Sequence, residues 1–129
     1  MLRLFGKPQK IQSSAVNLAN GVDAAGTILA TYDGMTAVLN YSKVCDTHNF
    51  CEIQGEKGTV QFRIPSSLEE VYLIKRGQAP ERIITPMVEQ DMFYELQAFI
   101  DYVKNPAGLG VYHQYSVDAM RIMDDVRRG

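Results

Sequence analysis

Residues 50–62 read FCEIQGEKGTVQF, where Gly55 and Gly58 bracket a glutamate and a lysine between two segments of strand-like composition. Such a loop has two physical readings. A phosphate cradle passes from a strand into a helix, whose first N–H groups point at the anion. A hairpin turn passes into a second strand. With Glu56-Lys57 as the loop, Ile53 falls opposite Val60, Cys51 opposite Phe62 and Asn49 opposite Ile64, while Gln54 meets Thr59 and Glu52 meets Gln61. One face is then apolar and the other polar, and the residues after Gly58, TVQFRI, continue as a strand. GEKG reads as a turn.

The same test finds a second hairpin. Asp33-Gly34 is a two-residue turn signal of the type I′ kind, which needs positive φ at both positions. Pairing outward sets Tyr32 opposite Met35, Ala30 opposite Ala37 and Ile28 opposite Leu39 on one apolar face. Thr31 with Thr36, Leu29 with Val38 and Thr27 with Asn40 make the other face mixed. Residues 10–19 alternate loosely up to a turn at NGVD (20–23), and EVYLIKR (70–76) and ERIIT (81–85) add two strands joined around Gly77 and Pro80.

Helical periods flank the strands. Leu2, Leu4 and Phe5 before Gly6 and Pro8 have the pattern of a helix's last turn with no cap upstream, as in a chain cut within a helix. Met92, Leu96, Phe99, Ile100 and Val103 recur at three and four residues, predicting an amphipathic helix from about 88 to 104 that Asn105-Pro106 ends. A second helix is expected from an N-cap at Ser116, with Asp118 in its first turn and Met120, Met123 and Val126 inward; residues 108–113 read as a connector. Six or seven strands and two helices predict an α+β fold over residues 1–129, a single domain with a mostly antiparallel, open-faced sheet and helices on one face. Two helices cover one face only. The other, with Leu29 and Val38, is expected to bury itself against a second copy as a homodimer.

The 129 residues, 46% of them hydrophobic, suffice for one core. Thirteen basic against 15 acidic residues, with no long run of one sign, leave no electrostatic footprint for nucleic acid. No membrane-spanning apolar run and no leader-like amino terminus are present, so the reading is a soluble, cytoplasmic protein. Cys45 and Cys51, on one extended segment, would stand roughly 20 Å apart, too far for a disulfide, which fits a reducing compartment.

Candidate chemistry is sparse. Cys45, His48 and Cys51 form C-x2-H-x2-C, but on a strand the cysteines point one way and the histidine the other, and no fourth ligand is nominated, so no metal is expected. GLGVYH (108–113) misses the dinucleotide pattern and follows a helix instead of a strand. His113 and Tyr115 are pocket-lining candidates without an acid or nucleophile at a fixed spacing, and an exposed loop is the favoured reading of His113.

The order GKPQKIQSSAV, NGVDAAGTILATYDGMTAVLNYS, NFCEIQGEKGTVQF, FYELQAFIDYVKN and SVDAMRIMDDVRR resembles the carboxy-terminal domain of the Gfo/Idh/MocA oxidoreductases. The GVD turn and the EIQGEKGTV hairpin are most similar to the branch with dihydrodiol-type dehydrogenases. In that family an amino-terminal Rossmann domain binds NAD or NADP, and a lysine in an E-K-P motif serves catalysis with an Asp and a His or Tyr near the start of the second domain. This sequence has neither the fingerprint nor E-K-P; Glu56-Lys57 is followed by glycine. The resemblance therefore implies the substrate-binding and dimerisation domain of an NAD(P)-dependent oxidoreductase acting on a sugar, polyol or diol-like alcohol. It implies no catalytic or cofactor-binding residue in this chain, inactivity in isolation, and NAD or NADP in a longer parent. It places Thr47, His48 and Asn49 near the cleft facing the nicotinamide as substrate-binding residues. The other reading is a free-standing dimeric binding or scaffold module without catalytic activity.

Overall fold

The computed structural model describes residues 1–46, 49–64, 70–83 and 92–128. In chain order its elements are helix α1 (Leu2–Phe5), strands β1 (Lys10–Asn17), β2 (Asp23–Tyr32), β3 (Met35–Ser42), β4 (Cys51–Gly55), β5 (Gly58–Phe62), β6 (Val71–Ile74) and β7 (Glu81–Ile83). Helix α2 (Phe93–Lys104), a 3₁₀ turn (Pro106–Gly108) and helix α3 (Leu109–Arg128) follow. They group into two compact units, Met1–Thr47 with Asn105–Gly129, and His48–Lys104. The fold is α+β and its strand pairing antiparallel, as read from the sequence. The strands form a three-stranded sheet, β1-β2-β3, and a four-stranded one, β4-β5-β6-β7, where a single sheet was expected. After β3 the Ser42 Oγ accepts the N–H groups of Val44 and Cys45 at 3.2 Å each, and Cys45 sits in a bend and not on an extended strand.

In the first unit every predicted pair from Tyr32↔Met35 to Thr27↔Asn40 is present. The turn differs in detail: Gly34 takes φ 69° while Asp33 keeps negative φ, so one left-handed residue suffices and the turn is not type I′. Strand β1 adds Ile11 opposite Ala30 and Ser13 opposite Ile28, and a register shift between Val16 and Asn17 precedes the turn at Leu18–Val22. Ala30, 2% exposed, lies on the central strand.

Helix α3 lies against the face carrying Ile11, Ser13 and Ile28, where the Ser13 hydroxyl donates to the Val126 carbonyl at 2.8 Å. Its inward stripe is Tyr115, Asp118, Ala119, Ile122 and Val126. Met120 and Met123, expected inward, are exposed. The helix also begins seven residues before the expected cap, at Leu109, and Ser116 donates back to the Tyr112 carbonyl at 3.1 Å as an interior residue. Pro106 starts the 3₁₀ turn and a helix-tolerated Gly110 lets α3 follow directly, so residues 108–113 are structured and not a connector. No helix among the described residues is long and apolar enough to cross a membrane.

In the second unit Glu56-Lys57 joins β4 to β5 with Cys51↔Phe62, Glu52↔Gln61, Ile53↔Val60 and Gln54↔Thr59 paired as expected. The ladder stops at Cys51↔Phe62, because Arg63 bends away, so the anticipated Asn49–Ile64 pair does not form. Val60 faces Leu73, and Val71, 8% exposed, faces Ile83. Helix α2 forms where the period predicts it, but the named stripe of Met92, Leu96, Phe99, Ile100 and Val103 is exposed, and Ala98 and Tyr102 are its half-buried positions; residues 84–91, which include the expected first turn, lie outside the described residues.

Two glycines give opposite expectations. A Cβ at Gly58 would meet the Ile74 carbonyl oxygen at 2.7 Å, backbone that cannot move without breaking the β5–β6 ladder. A Cβ at Gly110, on α3, meets nothing within 4 Å. Gly58→Ala is therefore expected to destabilise by about 1–3 kcal/mol, and Gly110→Ala to stabilise by about 0.5–1 kcal/mol, both read from urea midpoints.

Candidate functional site

The inner face of β1–β3 and the buried side of α3 enclose a groove of about 1340 Å³ within the first unit. Ile11, Ile28, Ala30 and Leu39 form its floor, and Tyr115, Ala119 and Ile122 its roof. These follow from the two periods already described: alternate strand residues point to one side, and every third or fourth helical residue points back.

One end of the groove is polar. The Lys43 ammonium donates to Asp23 Oδ1 at 2.7 Å, and the Tyr41 hydroxyl hydrogen-bonds the same carboxylate. The Lys43 bond, then that of Tyr41, holds the Asp23 carboxyl below its ordinary range, while desolvation, then the hydrogen bond to Asp23, pushes the Tyr41 hydroxyl up. Tyr41 reaches this position across Gly26, where a Cβ would stand 2.7 Å from the phenolic oxygen. The pair was not read from the sequence. The hairpin register held the signal, since counting outward from Gly34 brings Lys43 level with Ala24, whose carbonyl accepts the Lys43 N–H at 2.8 Å, beside Asp23.

The other end is aromatic. Phe5 meets Tyr32 edge-on at 6.2 Å, and the Arg3 guanidinium lies 5.8 Å from the Tyr112 ring centroid. The Tyr32 hydroxyl is buried without a hydrogen-bond partner among the described residues, and burial raises its pKa.

Beside the groove, Asp118 is 5% exposed on the apolar stripe of α3. Its Oδ1 accepts from Lys7 and from Gln114 at 2.8 Å each, with Arg121 at 3.9 Å. Lys7 follows α1 and precedes β1, so this one carboxylate fastens the α1–β1 link to the helix. A charge in an otherwise apolar helical stripe was its signal in the sequence.

The residues singled out in advance fall differently. Tyr115 lines the groove; His113 is exposed on α3 and does not. Asn49 is exposed, and Thr47 and His48 lie outside the described residues, as does the histidine of C-x2-H-x2-C. Cys45 is exposed and Cys51 half-buried, both as free thiols. Among the described residues no three His, Cys, Asp or Glu side chains converge as metal ligands.

The GEKG loop is not built as a phosphate cradle. The hollow at Gly55, Glu56, Lys57 and Gly58, about 550 Å³, is backed by Leu73 and Lys75 of the sheet. Gly55 and Gly58 are ladder partners, so no helix amino terminus faces it. No nucleophile with an adjacent base appears among the groove residues either.

No protein-family profile matches the chain. It is 32% identical over 127 residues to the scyllo-inositol 2-dehydrogenase (NADP(+)) IolU of Bacillus subtilis, spanning 97% of this chain and 39% of that protein. It is 35% identical over 100 residues to the uncharacterized oxidoreductase YgjR of Escherichia coli, spanning 78% of this chain and 30% of that one. This chain belongs to the Gfo/Idh/MocA oxidoreductases and corresponds to their carboxy-terminal domain. The crystal structure of a “putative oxidoreductase” from Klebsiella pneumoniae shares the fold, with a TM-score of 0.74 at 17% identity over 98% of this chain and 43% of that one. The chain thus spans about two-fifths or less of the length of the curated Gfo/Idh/MocA relatives that it matches.

Asp118 provides a pH test. Hydrogen bonding to Lys7, then to Gln114, holds its carboxyl below the ordinary range. A depressed folded-state pKa contributes stability that is complete above the unfolded value of about 4 and is lost as pH falls through the lower folded value. Urea midpoints of the wild type should fall across that acid window more steeply than those of Asp118→Asn, and Asp118→Asn should be the less stable protein at neutral pH.

Proposed function

We propose that this chain forms the substrate-side and self-association part of an NAD(P)-dependent oxidoreductase acting on a sugar, polyol or diol-like alcohol. The nicotinamide would be held by residues outside these 129. The observation that carries the reading is the similarity to an NADP-dependent scyllo-inositol dehydrogenase along 97% of the chain. That relative's substrate is a polyol. The absence of a dinucleotide fingerprint and the strand-to-strand course of GEKG support a division of labour in which another portion binds the cofactor. Thr47, His48 and Asn49 are the proposed substrate contacts, the histidine and asparagine offering hydrogen bonds to hydroxyl groups.

Self-association is assigned to the outer face of β1–β3, through a twofold contact of the chain with its own copy. Leu29 pairs with Val38 there, and Val38 is 60% exposed and Val16 68%. Burying such positions recovers about 25 cal/mol for each Å² of apolar surface before association costs.

Calorimetry of the isolated chain with NADH and NADPH is expected to show no binding tighter than about 10 μM. Tighter binding would favour a chain with its own cofactor seat. Joined to the cofactor-binding portion that its relatives carry, the chain is expected to support NAD(P)-linked oxidation of a polyol, with KM raised by His48→Ala and Asn49→Ala. A complex that binds cofactor but turns over no sugar, polyol or diol would favour the scaffold reading. Light scattering is expected to give a dimer for the wild type and a monomer for Val38→Asp, and a dimer untouched by the substitution would move the interface elsewhere.

A further inference from the structure

The turn between β1 and β2 carries the dipeptide Asn20-Gly21 on its exposed surface. Of the chain's asparagines, 17, 20, 40, 49 and 105, it alone precedes a glycine; the others precede Leu18, Tyr41, Phe50 and Pro106. Three features of the turn bear on its chemistry. The Asn20 side-chain oxygen accepts the Val22 N–H at 3.1 Å, so a donor already faces the atom on which negative charge would develop if Cγ were attacked. Gly21 has φ 83° and nothing within 4 Å of where a Cβ would lie, so no side chain crowds the turn beside its nitrogen. The Gly21 N–H is held by the Leu18 carbonyl at 2.9 Å, and the Leu18 N–H by the Val22 carbonyl at 2.7 Å, which ties the rate to opening of this short turn.

We propose that Asn20 is a site of spontaneous modification, deamidating through a cyclic imide. The Gly21 nitrogen gives its proton to solvent base and forms a bond to Asn20 Cγ. The resulting oxyanion on Oδ1 is met by the Val22 N–H. Collapse breaks the Cγ–Nδ2 bond, and the amide nitrogen leaves as ammonia with protons from solvent. Water then opens the ring. Cleavage at the side-chain carbonyl gives aspartate, and cleavage at the backbone carbonyl gives isoaspartate, with the main chain rerouted through Cβ. No oxidant or reductant is involved. Either product puts a new carboxylate in the turn that leads directly into Asp23 and its Lys43 partner. Isoaspartate also lengthens the turn by one atom and disturbs the Leu18–Val22 closure. The polar end of the groove is thereby exposed to an age-dependent change in charge.

The folded protein, aged in mildly alkaline buffer at physiological temperature, tests this by peptide mapping and by enzymatic methylation specific for isoaspartate. Asn20 is expected to convert at least about tenfold faster than any of the other asparagines, with isoaspartate among the products. Asn20→Ser, whose hydroxyl still reaches the turn amides, should gain no acidic species over the same period. Conversion of Asn20 no faster than of its counterparts would overturn the assignment, as would acidic species accumulating in Asn20→Ser at the wild-type rate.

Discussion

Register in two hairpins is the constraint on which everything else in this chain depends. A strand repeats every two residues, so a slip of β3 by one position at Asp33-Gly34 would carry Met35, Ala37 and Leu39 to the outer face and turn Thr36, Val38 and Asn40 toward α3. Gly34 prevents it by adopting positive φ, and in the second unit Gly58 lets β6 close on β5, because the Ile74 backbone leaves no room for a side chain there. The groove, the polar cluster at its end and the apolar patch on the outer face all follow from the first of these registers. The second determines that GEKG is a turn.

Helix α3 depends on the sheet in a different way. Its stripe is interrupted by Asp118, a carboxylate that is tolerated in a nearly solvent-free position because Lys7 and Gln114 satisfy it. Removing one partner of such a group costs more than the interaction contributes when intact, since the remaining charge is left unpaired. The same contact ties Lys7, on the link from α1 to β1, to the middle of the longest helix.

Both hairpins, the end of α1, the strands around Gly77 and the body of α2 were legible in the sequence because each rests on a local rule: a turn residue or a clear period. The features that were not legible rest on tertiary context. Ser116 looks like a cap by composition, yet Leu109 to Tyr115 continue the helix in front of it, so its hydroxyl bonds backwards to Tyr112. Met120 and Met123 fit an apolar stripe by hydropathy, but the buried side is set by Tyr115, Ala119 and Ile122, and the methionines fall on its flank. The division of the strands into two sheets has no counterpart in the periodicity of any one strand. Of the site residues, Tyr115 was anticipated, while Asp23, Tyr41 and Lys43 were not, because a polar cluster assembled across a hairpin has no signature along the chain.

Membership of the Gfo/Idh/MocA family and the course of the backbone bear on one issue: whether this chain could cradle a nicotinamide cofactor by itself. That issue turns on the backbone conformation immediately after Gly58. Nuclear Overhauser contacts in isotopically labelled protein measure it directly. Cross-strand contacts are expected between Glu52 and Gln61 and between Ile53 and Val60, with extended backbone from Gly58 to Phe62. Sequential amide–amide contacts along Gly58 to Phe62, the mark of a helix beginning at the glycine loop, would contradict it.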